Sequence, residues 1–300
     1  MRRILITGTN GQVGFELQRA LAPLGEATCV TREHADLANP QAIRDMLDRV
    51  QPDVIVNPAA YTAVDKAESD ADAVHAINAA APGLMAEWAA AHGALLVHYS
   101  TDYVFDGTKS GPYVEDDETN PQSVYGLTKW QGEEAIRRTK ANHLILRTSW
   151  VVGAHGNNFL KTVLRLARER EQLKIIADQI GAPTTAALIA DVTAQLVAHH
   201  GSRSAHFAYG TYHLTAAGEA SWYDYALHVV GLAEKSGFAL KLGRQAILPI
   251  PASEYPLPAK RPANSRLDVS KLTDTFGLHM PDWRRGIDHV FAQITDGLQR

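Results

Sequence analysis

The 300-residue sequence has a single cysteine, Cys29, so no disulfide can form within the chain and a bridge-stapled framework is excluded. No apolar run is long enough to span a bilayer, which argues against an integral membrane protein. Long basic runs are also missing and the net charge is −4, so the electrostatic footprint of a nucleic-acid partner is absent. The densest acidic stretch, residues 115–118, is short and reads as a solvated loop. None of the thirteen histidines falls at metal-ligand spacing, and His199-His200 reads as a solvated helix end, so no metal site is expected. No internal repeat or low-complexity tract is present. Arg2 and Arg3 run straight into an apolar stretch with no cleavage pattern, so no signal peptide and a cytoplasmic location are expected. What remains is the composition of a globular protein, 45% hydrophobic and 21% charged, long enough for one large domain or two ordinary ones.

Residues 3–7 (R-I-L-I-T) are apolar and β-branched, as a buried parallel strand requires. They run into Gly8-Thr9-Asn10-Gly11-Gln12-Val13-Gly14, after which residues 15–24 read as a helix. Strand, glycine turn and helix in that order make a dinucleotide fingerprint. Gly8 and Gly11 permit close backbone approach to a pyrophosphate, Gly14 lets helix and strand pack, and the helix N-terminus offers free N–H groups. A second strand over 26–30 ends at Thr31-Arg32, where a ribose-reading residue belongs. No acid stands there. Arg32 either meets a 2′-phosphate, favouring NADPH over NADH, or is a solvated loop residue. Asp36, before Leu37, either approaches the adenine edge or caps a turn ahead of a helix over 40–50.

Residues 53–57 (D-V-I-V-N) form another buried strand, and the small residues in Pro58-Ala59-Ala60-Tyr61-Thr62 let a cofactor lie against the backbone. A helix over 71–92, interrupted near Pro82-Gly83, carries Asn78 as a polar anchor toward a neighbouring strand. Strands at 94–99 and 143–147 complete a regular alternation through residue 150. The fold class is therefore α/β with a doubly wound parallel sheet.

Thr101 and Asp102 lie just past the 94–99 strand, where such sheets carry their chemistry. Tyr125 and Lys129 are four apart, so on a helix they share a face. An ammonium beside a phenol lowers the phenol's pKa and makes it a usable acid near neutral pH. A hydroxyl from Ser100 or Thr101 is placed to hold a carbonyl oxygen for that tyrosine. The stretch proposes proton transfer at a carbonyl or alcohol oxygen.

After Trp150 the alternation is lost: helix over 157–171, strand over 174–178, helix over 191–200, strand over 210–214, helix over 221–235, then a proline-rich loop over 249–262. A smaller, mixed α/β C-terminal domain is expected, with residues 1–150 binding the dinucleotide. Residues 151–300 would mainly bind substrate, with some segments returning to the first domain. The loop's cations and their neighbours, Lys260, Arg261, Asn264 and Arg266, either receive a phosphorylated substrate or belong to an ordinary surface loop.

With these residues in hand, the chain resembles the extended short-chain dehydrogenase/reductase superfamily, through Gly8-x-x-Gly11-x-x-Gly14, Ser100-Thr101 and Tyr125-x-x-x-Lys129. More narrowly it is similar to the dTDP-4-dehydrorhamnose reductase family. That likeness runs through D-V-I-V-N-P-A-A-Y-T-A-V-D-K-A-E at 53–68, S-T-D-Y-V-F-D-G at 100–107, R-T-S-W-V at 147–151, G-N-N-F at 156–159, A-P-T at 182–184 and R-P-A-N-S-R-L at 261–267. The resemblance implies a Rossmann sheet and NADPH as cofactor, with NADH possible. It also implies reduction of the C4 ketone of dTDP-4-dehydro-6-deoxy-L-mannose to dTDP-L-rhamnose, the last step of dTDP-rhamnose biosynthesis. By the same resemblance Tyr125 would donate the proton, and Lys129 would bind the nicotinamide ribose and lower the Tyr125 pKa. Thr101, Asp102 and Trp150 would meet the sugar, with Arg261 and Asn264 also on the substrate side. Gly8, Gly11, Gln12, Val13, Gly14, Arg32, Asp36, Leu37, Ala60 and Thr62 would meet the cofactor.

Some members of that family dimerise through a magnesium ion held by three glutamates. Glu16 matches the first position, but the others fall on Ala187 and Gln293, which supply no carboxylate. A metal-bridged dimer is therefore not expected, and the oligomeric state is left open. Two rival readings stand beside the reductase. One is a nucleotide-sugar epimerase or dehydratase of the same superfamily, for which Asp102 beside Thr101 is suitable. The other is a non-catalytic regulatory subunit that keeps the cofactor pocket. The joint presence of Thr101, Tyr125 and Lys129 favours an enzyme.

Overall fold

The computed structural model describes residues 1–201 and 207–296. Its strands are β1 (Arg3–Ile6), β2 (Glu26–Cys29), β3 (Val54–Asn57), β4 (Leu95–Thr101), β5 (Asn142–Thr148), β6 (Val151–Val152), β7 (Leu173–Ile176), β8 (Ile180–Gly181), β9 (Thr184–Thr185), β10 (Gly210–His213), β11 (Ala220–Ser221) and β12 (Ile247–Ile250). Helices α1 (Gln12–Leu21), α2 (Pro40–Val50), α3 (Val64–Ala67), α4 (Ala71–His75), α5 (Ala81–His92) and α6 (Val124–Arg138) belong to the first half. The second half has α7 (Phe159–Glu169), α8 (Ala186–Gly201), α9 (Trp222–Lys235), α10 (Ser270–Phe276) and α11 (Trp283–Asp296). None of the described helices is long and apolar enough to cross a membrane.

The main sheet runs β10-β5-β4-β3-β1-β2, and every pairing in it is parallel. The chain leaves β1 for β2 on one side and then crosses to β3 on the other. The strand order therefore reverses between β1 and β3, where an open crevice forms at the strands' carboxyl ends. Alternation along the strands serves both faces. Ile4 and Ile6 pack with Leu17 and Leu21 of α1 and with Ile189 and Leu196 of α8. Leu5, Ile55 and Leu96 point the other way, onto Ile43 and Leu47 of α2, Met85 of α5 and Ile136 of α6. The expected doubly wound α/β architecture is what the chain forms.

A third core lies outside the main sheet. Leu160 and Val163 of α7, Tyr225 and Val229 of α9, and Trp283 and Ile287 of α11 pack with Leu173 and Ile247 of the paired strands β7 and β12. Three segments of the second half instead return to the main sheet: β10 pairs with β5, α8 covers α1, and Leu272 of α10 joins the same core. Helices α10 and α11 carry no assignment in the sequence reading.

Local chemistry moves several boundaries. The first helix begins at Gln12 rather than Phe15, because Gly11 takes the extended N-cap position. It ends at Leu21, where Ala22–Leu24, containing Pro23, tightens into a 3-10 turn. The break expected at Pro82-Gly83 lies earlier, as a π-helical turn over Ala76–Ala80. Pro82 follows directly after the π turn, into which it has no N–H to donate. Asn78, in the π turn, anchors a loop and a helix rather than a strand. Its side chain accepts from the Tyr61 backbone N–H (2.8 Å), donates to the Tyr61 carbonyl (3.1 Å) and approaches the Thr128 hydroxyl (3.4 Å).

The π turn fits because Gly132 of α6 faces it. A Cβ at Gly132 would collide with the Asn78 carbonyl oxygen, an atom that cannot move aside without bending the helix. Gly132→Ala is expected to cost about 1–3 kcal/mol, as overpacking against backbone does. Urea unfolding of the variant beside the parent protein measures it; equal midpoints would show that the two helices part freely.

Candidate active site

The crevice at the strand ends is a cleft of about 650 Å³. Its glycine end is built from the turn after β1. Gly8 has φ +56°, and a Cβ there would lie 2.8 Å from the Ala59 Cα. A side chain is excluded on both counts. Gly11 caps α1 without a side-chain hydrogen bond, so the first N–H groups of the helix are left for a ligand. Gly8, Gly11, Gln12, Val13 and Gly14 all line this end. Arg32, Asp36, Leu37, Ala60 and Thr62 line it farther out, from the loops after β2 and β3.

Asp36 accepts from the Ala38 backbone N–H at 3.0 Å, a turn cap, and from Arg32 at 3.3 Å. Arg32 is otherwise exposed, with 79% of its side chain accessible, at the rim of the cleft. An exposed pair of this kind is weak, so the guanidinium is free to exchange Asp36 for a phosphate.

The other end of the cleft gathers Thr101, Asp102, Tyr125, Lys129 and Trp150. Ser123 caps α6 by accepting from the Gly126 N–H at 3.2 Å, and the helix then presents Tyr125 and Lys129 one turn apart. The Thr101 hydroxyl donates to Asp102 Oδ1 at 2.9 Å and accepts from the Tyr103 N–H at 3.2 Å. Its proton is thus committed to Asp102, and holding a carbonyl oxygen requires it to turn. The Tyr103 ring meets Tyr125 edge-on, with centroids 5.4 Å apart. The buried hydroxyls of Thr148 and Ser149 line the same end without a protein partner, as ligand-facing groups do.

Burial dominates the electrostatics here. It pushes Tyr125 up to about 12, with the Thr101 hydroxyl opposing and Asp102 adding to the rise. The expected lowering of Tyr125 by Lys129 is therefore not what the protein's own groups produce. The Lys129 ammonium is turned to the Tyr99 carbonyl at 2.6 Å and to His98 Nε2 at 3.1 Å. Burial lowers Lys129 itself to about 8, against the pull of Glu133. Burial also raises Asp102 to about 6, with Ser265 and Thr101 opposing. One turn beyond Lys129, Glu133 is fully buried. Burial resists its ionisation, but Arg147 (2.9 and 2.7 Å) and Arg137 (2.6 Å) outweigh that and hold it below its ordinary value.

Arg261 and Asn264 are the two expected residues that do not line the cleft. Arg261 clamps both carboxylate oxygens of Asp65 at 3.0 Å, so its charge is already neutralised. Asn264 gives its amide protons to the carbonyls of Lys109 and Gly111, each at 2.8 Å, and accepts from Arg266. Lys260 reaches Gln122 and Arg266 reaches Glu219, so the basic loop is tied down. The sequence reading misses Trp222, which stacks on Trp150 at 3.6 Å and lines the cleft from α9. No motif marks it. The Trp150 indole leaves no room for a side chain at Gly181, where a Cβ would lie 2.6 Å from it, and Trp150 itself takes φ +49°.

Among the described residues, no group of three or more His, Cys, Asp or Glu is placed to hold a metal ion. Glu16 is not a free carboxylate: Arg19 pairs with it at 3.6 Å and reaches Asp191 at 2.9 Å.

A family model described as "RmlD substrate binding domain" matches residues 1–296. The chain is 49% identical to a dTDP-4-dehydrorhamnose reductase of Burkholderia thailandensis, over 95% of this chain and 96% of that one. The chain belongs to the dTDP-4-dehydrorhamnose reductase family. It is 46% identical to the reductase of that name from Escherichia coli K12, with 97% of each chain covered. Its fold matches a solved dTDP-4-dehydrorhamnose reductase from Bacillus anthracis in complex with NADP. The TM-score is 0.88, with 34% identity and 97% and 99% of the two chains covered.

Arg32→Ala is expected to weaken NADPH roughly ten- to hundredfold more than NADH, the effect of losing one charge-assisted hydrogen bond to a phosphate. Titration of both cofactors by fluorescence measures this. Equal weakening of the two would assign Arg32 to the solvated rim.

Proposed function

We propose that this protein reduces the C4 ketone of dTDP-4-dehydro-6-deoxy-L-mannose to dTDP-L-rhamnose, the final step of dTDP-rhamnose synthesis, with NADPH as reductant and NADH as the poorer one. The observation that carries the reading is the convergence of Thr101, Tyr125 and Lys129 at one end of a cleft whose other end is a glycine cradle. The family relationship supplies the substrate class.

The cradle fits a dinucleotide, since Gly8 takes a left-handed turn that packs tightly on Ala59 and the α1 N-terminus is left without a side-chain cap beside it. Bound NADPH supplies the hydride. Tyr125, kept protonated by burial, gives its proton to the C4 oxygen as negative charge develops there. The phenolate left behind is stabilised by the Lys129 ammonium and by the Thr101 hydroxyl. Asp102 accepts a hydrogen bond from the Thr101 hydroxyl in the free protein and is placed to accept one from a sugar hydroxyl in its stead. Trp150 and Trp222 offer an aromatic wall to the sugar ring. We read residues 1–150 as the dinucleotide domain and most of 151–300 as the substrate side, and the location as cytoplasmic. A dTDP-sugar is the partner in this reading.

Asp102, raised to about 6, favours a second reading as a dehydratase, which needs an acid beside the Thr101 position. The two readings differ in cofactor balance: a reductase consumes one NADPH per sugar, whereas an epimerase or dehydratase returns its cofactor oxidised. NADPH oxidation that follows the keto-sugar nucleotide mole for mole supports the reductase, and product formation without net oxidation refutes it. Within the reductase reading, Tyr125→Phe is expected to keep cofactor affinity and lose turnover by on the order of a hundredfold or more. Near-parental kcat in that variant would remove Tyr125 from the role of acid.

A further inference from the structure

A row of buried polar groups runs beneath the cleft and ends on Lys129. It crosses three adjacent strand ends and one helix. Thr7, just past β1, lies 2.6 Å from Asn57 Oδ1 at the end of β3. Asn57 Nδ2 lies 3.2 Å from His98 Nδ1 on β4, directly across the register pairing of the two residues, an orientation that donates to a bare Nδ1 and is exchanged by turning the amide over. His98 Nε2 lies 3.1 Å from Lys129 Nζ on α6. Thr7, Asn57, His98 and Lys129 are each no more than 2% exposed.

Proton counting constrains this row. An ammonium has three donors and accepts nothing, so a charged Lys129 requires His98 Nε2 to be bare. Burial, with the neighbouring Lys129, holds His98 well below its ordinary value, so the ring is neutral, and beside a charged Lys129 its one proton belongs on Nδ1. Nδ1–H then needs an acceptor, which turns the Asn57 carbonyl oxygen to His98 and its NH₂ to the Thr7 hydroxyl. With a neutral Lys129 amine the whole row reverses: Nε2–H donates to the amine, Asn57 NH₂ donates to Nδ1, and Thr7 donates to Asn57. His98 and the Tyr99 carbonyl together take two of the three ammonium N–H bonds, leaving one for the cleft that Lys129 lines.

We propose that His98 is a positioning residue for Lys129: held by Asn57 and Thr7, it fixes the ammonium so that its third N–H is aimed at the reacting end of the cleft. The catalytic importance of Lys129 rests on the reduction proposed above; the tautomer of His98 does not. The charged and titratable groups around Lys129 are His98 from β4, Asp102 and Tyr103 from the turn after β4, and Tyr125 and Glu133 from its own helix. Behind Glu133 stand Arg147 from β5 and Arg137, and the π turn packed on α6 contributes no titratable group. Glu133 is neutralised by its two arginines, so His98 is the contact through which the row answers to the Lys129 charge.

The test has two arms. In ¹⁵N-histidine-labelled parent protein, with the His98 signal assigned by its loss in His98→Gln, Nδ1 is expected to carry the proton at pH 6.5. The proton is expected to pass to Nε2 as pH rises through about 8, where Lys129 loses its charge. A proton on Nε2 at pH 6.5, or a doubly protonated ring, would overturn the proposal whether or not the protein is a reductase. In the kinetic arm, His98→Leu removes an acceptor from the ammonium. It is expected to lower kcat on the order of tenfold, the rate equivalent of one hydrogen bond. It also moves the alkaline limb of the pH profile to lower pH and leaves the KM for the sugar nucleotide within about twofold. His98→Gln, which can accept from Lys129 and donate to Asn57, restores most of the rate and the limb. An unmoved limb in His98→Leu would refute the positioning role. If the leucine variant does not fold, the tautomer in the parent protein still decides, and absence of any reductase activity would fall on the function and not on the row.

Discussion

A buried charge pair ties helix α6 to β5, and the reacting end of the cleft hangs from that helix. Tyr125, Lys129, Glu133 and Arg137 recur every four residues and so form one stripe along the helix. The upper two face the cleft. Glu133, fully buried, is gripped by Arg147 of β5 through two hydrogen bonds, and Arg137 closes over it from the surface. Such a pair adds little net stability, because desolvating both charges costs nearly what their attraction returns. Its consequence is positional: either partner alone would be an uncompensated buried charge, so the helix cannot slide or rotate along β5 without breaking both bonds. The π turn against Gly132 fixes the same helix from its other side.

Around that anchor, burial sets the protonation states. It raises Tyr125 and lowers Lys129, so each resists becoming or staying charged alone. A phenolate and an ammonium on neighbouring buried side chains attract each other, and burial screens that attraction less than water does. At rest Tyr125 is neutral and Lys129 carries the pair's charge, and the pair is stabilised when a proton leaves Tyr125 for a bound oxygen. The lowering of the tyrosine pKa that spacing suggests belongs to that moment, because in the free protein Lys129 is turned to Tyr99 and His98.

The two ends of the cleft differ in how they are made. The glycine end is backbone, shaped by where side chains are absent, and its outer rim at Arg32 and Asp36 is solvated and adaptable. The reacting end is side chain, closed by the stacked indoles of Trp150 and Trp222. Those two come from opposite halves of the chain, so the wall exists only when α9 is docked on the end of β5. Arg261 contributes at one remove: by clamping Asp65 it ties the C-terminal loop to the segment after β3.

The sequence alone determined whatever rests on neighbours along the chain. Strand, glycine turn and helix are contiguous, so the cradle was legible, and so was the parallel sheet from its regular alternation. Tyr125 and Lys129 are one helical turn apart, so their shared face was legible too. The tertiary structure decided what rests on distant pairings. Nothing local tells that β10 returns to the sheet edge, that Trp222 meets Trp150, or that His98 sits opposite Asn57. It also decided the fate of the charges. Arg261 and Asn264 look available in a polar, proline-rich loop, yet their hydrogen bonds are spent on Asp65, Lys109 and Gly111, far away in sequence. Hydrophobic and glycine periodicities are short-range codes set by backbone geometry. Hydrogen-bond partners and desolvation are set by which segments the completed core brings together.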